Sequence, residues 1–539
     1  MTDRRLRVAA LLLLCGVAFW WRLGYLGLID PDEPFYAQSS REMLEAHDWS
    51  TPRIFDRPQF EKPIFLYWLS MGSFRAFGDN EFAARAPAAL FATLLVVMTW
   101  AFGERMFGGR AAFLASVVLA TSTEFFVSAR MMLTDMVFGA FVCGSVFSLW
   151  LASRGARRPG LWFVAACGMS ALAVLTKGPL GLLLPALAIP AIALGGGRRL
   201  AIRPVSVVSG AALFAAIAAP WYAIMLQKFG RSYFDAFFIH ENVERFFHAE
   251  HRHNNHFYYY LAVLAAGAIP WTPVLAALAS PARRQAMWDD TSRFLGLWGS
   301  LCLAFFTLAA SKLPSYVLFL FVPLALLIGR ALDLLLRADG RGRVERWAMG
   351  VLSVAQIIPF LVGPRFVPFG ALAWPLGFVA VCLAIALILQ TRRLSPAWIA
   401  ATASSSIVLL VVCLAWAGPS VDAIVSARSL SREILGGLGP TETIMASPLL
   451  ARGVSYYTRR PVSVLSDRAQ PFYTPHPLPI VSGSRGLDQY LERGGSAVCA
   501  TSRRDWSRLQ PALRQDAEVV VDTVGDKVLA RVTRMHETK

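Results

Sequence analysis

The sequence predicts an α-helical, polytopic membrane protein that carries a small α/β domain at its C-terminal end. Three observations lead there. Apolar residues fill 56% of the 539 positions and charged residues only 16%, against about 45–50% and about 25% in an average soluble domain. The mean hydropathy is +0.49, carried by apolar runs long enough to cross a bilayer. Near residue 418 the long runs give way to short segments that read alternately as strand and helix.

A membrane span needs about 20 mostly apolar residues. The runs that qualify are 8–28, 82–103, 111–129, 134–152, 160–176, 179–195, 204–225, 258–279, 294–310, 314–336, 347–363, 369–390 and 397–417, about thirteen in all. The first follows a basic start, like a signal peptide, but no small-residue cleavage site stands out. Trp20, Trp21 and Tyr25 sit where an interfacial belt would, so it reads as an uncleaved span.

The net charge of +17 does not call for nucleic acid. Alternate connectors read TDRRLR, GERMFGGR, SRGARRPG, GGGRRLAIR, PARRQAMWDDTSR, RADGRGRVER and QTRRL. Arginine on one set of loops is the pattern that fixes topology, with the basic set inside. The N-terminus is then expected in the cytoplasm, and the C-terminal tail outside. The outer set holds the long loops 29–81 and 226–257. Within the first, IFLYWLSMGSFRAF (64–77) is too short to span and reads as an interfacial helix, as does 231–247. Six of the seven cysteines lie in apolar runs without metal spacing and read as small core residues.

After residue 417 the runs ETIMAS, PVSVLS, LPIVSG, SAVCAT and AEVVVDT suggest strands. SPLLARGVSYYT, GLDQYLERG and RRDWSRLQPALRQ suggest helices. Alternation of this kind predicts a small α/β layer with a largely parallel sheet. The expected division is therefore 1–417 for the membrane domain and 418–539 for an outer domain.

The chemistry-bearing residues collect at one rim. Asp30, Asp32 and Glu33 follow the first span, and Glu61 and Lys62 lie further along the same loop. Arg130 and Asp135, Lys177, the stretch His240 to Arg245, and Lys312 with Tyr316 all fall in outer turns. The chain has six lysines, and Lys62, Lys177 and Lys312 each sit in a turn beside a proline, flush with the membrane face. A lysine ammonium there suits a phosphate as a compact point charge, although snorkelling gives the same pattern. Each acid alone also reads as a solvated loop residue, and Asp135 as a helix cap. A divalent metal stays open, with Glu61, His240 and His253 as candidate ligands. The spans are nearly free of charge, which favours chemistry at the surface over passage through the bilayer.

The ordered motifs DEPFYAQSSREML, FEKPIFLYWL, NEFAARAPAAL, MLTDMVF, LTKGPLG, VERFF followed by HRHNNHFYYYL, and KLPSYVLFLFVPLALLIGRAL resemble the bacterial lipid A aminoarabinose transferases. That family lies in the GT-C superfamily, which also includes the protein O-mannosyltransferases. The resemblance runs through residues 25–336; Phe35, Asn242 and His256 depart from the residues usual there. It implies a polytopic inner-membrane glycosyltransferase with a periplasmic active site, an undecaprenyl-phosphate-linked sugar as donor, and lipid A or another glycolipid or glycan as acceptor. It implies inversion at the sugar carbon and a single copy as the working unit. Asp32 matches the family's catalytic aspartate, with Asp135 and Glu61 as further candidate catalytic acids. Lys62, Lys177, Arg245, Lys312 and Tyr316 are the expected holders of the donor phosphate. A flippase for a lipid-linked sugar, and a transferase acting on protein or polysaccharide, are the alternatives.

Overall fold

Helices dominate the computed structural model, which describes residues 2–196, 202–248, 256–337, 343–362, 370–392, 395–416, 418–437, 439, 442–466, 478–493, 495–512, 517–524 and 527–534. Each of the thirteen apolar runs falls on helix. Seven helices among the described residues are long and apolar enough to cross a membrane on their own. Others are broken: 111–129 becomes Gly109–Thr121 and Thr123–Ser128, and 179–195 becomes Leu180–Ala186 and Ala188–Leu194. The protein is a multi-pass membrane protein.

The chain divides into two compact units. The first comprises Met1–Arg22, Phe60–Leu66 and Arg85–Cys413. At its centre is the helix Thr134–Ser153, buried at every one of its 20 positions. Small residues let its neighbours approach: a methyl on Gly139 would meet Phe319 at 3.4 Å, and one on Gly144 would meet Met169 at 3.4 Å. Ser145 donates to the Ala166 carbonyl of the next helix at 2.9 Å. Close backbone packing and interhelical hydrogen bonds replace the hydrophobic drive that lipid cannot supply. Arg130, read from the sequence as a rim charge, closes the end of the first helix by donating to the carbonyls of Ala18 and Trp21, each at 3.0 Å.

The helix Pro204–Tyr233 runs on through a π-type stretch, Phe234–Glu244, to Arg245–Phe247. A kink divides this run, so the segment expected at 231–247 follows the spanning helix as a separate helical element. The break comes at Gly230, whose φ of +54° a glycine adopts at little steric cost.

The second unit comprises Leu23–Gln59, Tyr67–Ala84 and Leu414–Lys539. Two parts of the first long loop therefore belong with the C-terminal residues. Among the described residues its larger sheet has six strands, in the order Ile480–Val481, Val462–Leu465, Glu442–Ala446, Ser496–Ser502, Lys527–Arg534 and Ala517–Val524. The first four pair in parallel and the last two add antiparallel. Side chains alternate between the faces, and both faces are covered. Ile444, Ala446, Val498 and Ala500 join one core with Leu430 and Val454. Met445, Ala497 and Cys499 join the other with Leu487 and Trp506. Burial on both sides explains the nearly continuous apolar runs of these strands.

Candidate active site

Glu241 organises the site within the first unit. It lies on the π-type stretch, with only 4% of its side chain exposed. Its Oε2 accepts from Lys62 Nζ at 2.9 Å and from Arg245 at 2.5 Å. Its other oxygen is buried and has no hydrogen-bond partner among the described residues. Arg245 lies four positions along from Glu241, which puts both on one helical face. Lys62 reaches them from the Glu61–Lys62–Pro63 turn and also donates to the Glu61 carbonyl at 2.9 Å. Burial disfavours a charged ammonium, but Glu241 beside it prevails and the Lys62 pKa is raised above the ordinary lysine value.

Lys177 is the last residue of the helix Pro159–Lys177. It pairs with Asp135, in the first turn of Thr134–Ser153, and its ammonium lies 4.6 Å from the centre of the Tyr316 ring. The turn that ends its helix depends on Gly178, at φ +76°, where an added Cβ would come within 2.8 Å of Phe237. Asn242 donates to the Phe237 carbonyl at 2.6 Å, five residues back, and so braces the same stretch.

Glu61, Lys62, Lys177, Glu241, Arg245 and Tyr316 line one cavity of about 570 Å³, whose remaining wall is largely apolar. Phe234, Phe237 and Phe238 form one part of that wall; Phe246 and Phe247 with Phe305 and Phe306 form another. Phe246 packs on Phe305 with ring centres 5.2 Å apart. A cluster of cations set into a hydrocarbon wall suits an amphiphile with an anionic head and an apolar tail.

The comparisons with known proteins follow the same lines. Residues 61–224 match the family profile described as dolichyl-phosphate-mannose-protein mannosyltransferase. The chain is 35% identical over 338 residues to undecaprenyl phosphate-alpha-4-amino-4-deoxy-L-arabinose arabinosyl transferase 1 of Pseudomonas fluorescens, covering 61% of this chain and 60% of that one. It is 34% identical over 341 residues to the enzyme of that name from Pseudomonas aeruginosa, with 61% and 60% covered. The chain spans about three fifths of the length of these curated relatives. In fold it is similar to the crystal structure of ArnT from Cupriavidus metallidurans bound to undecaprenyl phosphate, with a TM-score of 0.75, 22% identity and 98% of each chain covered. The chain therefore shares the fold of that structure and is similar over about three fifths of its length to the aminoarabinose transferases.

The other candidates named from the sequence fall elsewhere. Asp32 opens the helix Asp32–Glu45 in the second unit and is exposed. Lys312 is buried and donates to the Ala309 carbonyl at 2.6 Å, and it is not among the residues lining the cavity. His240 pairs with Glu244 at 2.9 Å. His253 lies outside the described residues, and among those described no three His, Cys, Asp or Glu side chains gather as a metal site. The sequence reading noted Glu241 only as one of several rim charges and missed its role as the shared partner. It also missed the aromatic wall, whose signal was the recurring Phe-Phe pairs at 237–238, 246–247 and 305–306.

Proposed function

We propose that the protein is an integral-membrane glycosyltransferase that moves a sugar from an undecaprenyl-phosphate carrier to lipid A or a related acceptor. The observation that carries this reading is the joining of Lys62, Lys177 and Arg245 to an aromatic wall in one cavity. The cations and Tyr316 hold the donor phosphate, and the phenylalanines take the first part of the polyprenyl chain. Transfer breaks the bond between the sugar carbon and the phosphate oxygen, and the phosphate leaves with the electron pair. The cations stabilise the charge that grows on it. An acceptor oxygen attacks from the opposite face, so the sugar carbon inverts.

Asp32 is the proposed catalytic acid–base group. It takes the proton when the acceptor is a hydroxyl. When the acceptor is a lipid A phosphate it needs no base, and Asp32 serves by position and by stabilising positive charge on the sugar ring. Asp135 acts by holding Lys177, and Glu61 by setting the Lys62 turn. The proposed arrangement places the N-terminus in the cytoplasm of a bacterial cell and the C-terminal domain, residues 418–539, in the periplasm.

The test is transfer by the purified full-length protein in liposomes, with undecaprenyl-phosphate-linked aminoarabinose and lipid A. Sugar appearing on lipid A supports the reading. Donor that crosses the bilayer without transfer would replace it with a transporter.

A further inference from the structure

Four consecutive backbone N–H groups lie just before Asp32, and each has a defined acceptor. Gly27 donates to Asp422 Oδ1 at 2.5 Å. Leu28 donates to the Tyr457 hydroxyl at 2.7 Å. Ile29 donates to Glu33 Oε2 at 2.7 Å. Asp30 donates to the Val425 carbonyl at 2.9 Å. Three of the four acceptors come from the C-terminal part of the same compact unit, about 400 positions away in sequence. Arg428 adds a fifth bond, donating to the Tyr25 carbonyl at 2.8 Å.

The acceptors are themselves held. The Tyr457 hydroxyl donates to Glu81 at 3.1 Å. Arg428 pairs with Glu81 at 3.1 Å and with Asp422 at 3.0 Å. Beyond Asp32 the grip continues: the Arg452 guanidinium lies 4.6 Å from the centre of the Phe35 ring, and Arg41 donates to the Tyr456 carbonyl at 3.1 Å. Gly453 packs so closely on the Asp30 carboxyl that a methyl there would come within 2.0 Å of Oδ1. An irregular segment without strand partners would otherwise leave these amides to water and retain much of its backbone freedom. Asp32 opens its helix two positions after this held segment, so what fixes residues 27–30 also bears on where its carboxylate sits.

We infer that Tyr457, Asp422 and Arg428 are positioning residues for Asp32, and that the C-terminal domain serves the reaction by clamping residues 25–30. This rests on the proposed role of Asp32. A carboxylate that must meet an acceptor within hydrogen-bond distance loses rate when its backbone is free to wander. Removal of the clamp should therefore lower kcat and leave donor KM unchanged, since Lys62, Lys177 and Arg245 are untouched.

The experiment compares Tyr457→Phe with wild type, with Asp32→Asn and with a control, Tyr490→Phe. Tyr490 lies in the same unit, where its hydroxyl meets Thr443. Full-length protein is assayed with undecaprenyl-phosphate-linked aminoarabinose and lipid A, and amide exchange is followed in the peptide covering residues 25–35. The expected result for Tyr457→Phe is a kcat loss of roughly tenfold or more, unchanged donor KM and faster exchange in that peptide. Tyr490→Phe should show none of these. Wild-type kcat and exchange in Tyr457→Phe, with Asp32→Asn inactive, overturn the clamp and leave the role of Asp32 standing. Full activity in Asp32→Asn overturns the catalytic reading itself. Equal losses in Tyr457→Phe and Tyr490→Phe reduce the tyrosine to a general stabilising role and overturn the inference. If Tyr457→Phe does not fold, Arg428→Gln removes the bond to Tyr25 and is judged by the same readouts.

Discussion

Lys62 and Glu241 lie 179 positions apart in sequence and 2.9 Å apart in the fold. Arg245 shares the same carboxylate oxygen, so one buried acid holds two cations at the mouth of the apolar wall. Glu241→Ala leaves both cations without their acid. Breaking a buried pair in this way costs about 3–5 kcal/mol, and thermal unfolding of the purified protein should show a correspondingly large fall in Tm. A Tm within a degree of wild type would mean that the pair does not hold the site.

Lys62→Ala removes one of the three cations assigned to the donor phosphate. A charge-assisted hydrogen bond of this kind contributes about 1.5–3 kcal/mol, so donor KM should rise by roughly tenfold to a hundredfold. Acceptor KM should stay close to wild type. Equal rises for donor and acceptor would contradict a phosphate contact.

Gly178→Ala tests the turn that sets Lys177. The backbone there is at φ +76°, and the new methyl would meet Phe237 at 2.8 Å. Left-handed backbone in a residue with a Cβ costs about 1–3 kcal/mol, and the steric conflict adds to that. Lower Tm together with weaker donor binding is expected. A lower Tm with unchanged donor binding would separate the turn from the site.

Asp30 gives a pH dependence with a definite sign. Burial dominates and raises its carboxyl from 3.8 to about 8; Lys527 opposes that shift, while nearby Glu33 adds to it. Between those values the folded protein holds a proton that the unfolded chain has released. Stability is therefore greatest below the lower value and falls as pH rises towards the upper one. Tm should decline across that range in wild type and decline less in Asp30→Asn. Parallel pH profiles for the two would contradict the assignment to Asp30.

Much of the fold was legible because lipid leaves few options. Backbone groups in a bilayer must bond within their own helix, so long apolar runs such as Thr134–Ser153 announce themselves. The parallel part of the sheet was equally clear from ETIMAS and SAVCAT. The final strand, Lys527–Arg534, which pairs antiparallel with Ala517–Val524, went unread. At the site, Lys62 and Lys177 stood out as lysines in turns beside prolines; Lys312, read in the same way, is not among the residues lining the cavity. The sharing of Glu241 did not stand out, because nothing local marks a partner 179 positions away. The grip of Tyr457 on Leu28, 429 positions apart, is invisible for the same reason. Long-range pairing is set by the packing of whole units and leaves no periodicity to read.

The most direct measurement is mass spectrometry of lipid A and other surface glycolipids from cells with the gene, without it, and with an Asp32→Asn copy. The account predicts a sugar-sized mass on one glycolipid that vanishes in the deletion, returns with the wild-type gene and does not return with Asp32→Asn. Restoration of that mass by the Asp32→Asn copy, or identical glycolipids in all strains, would contradict it.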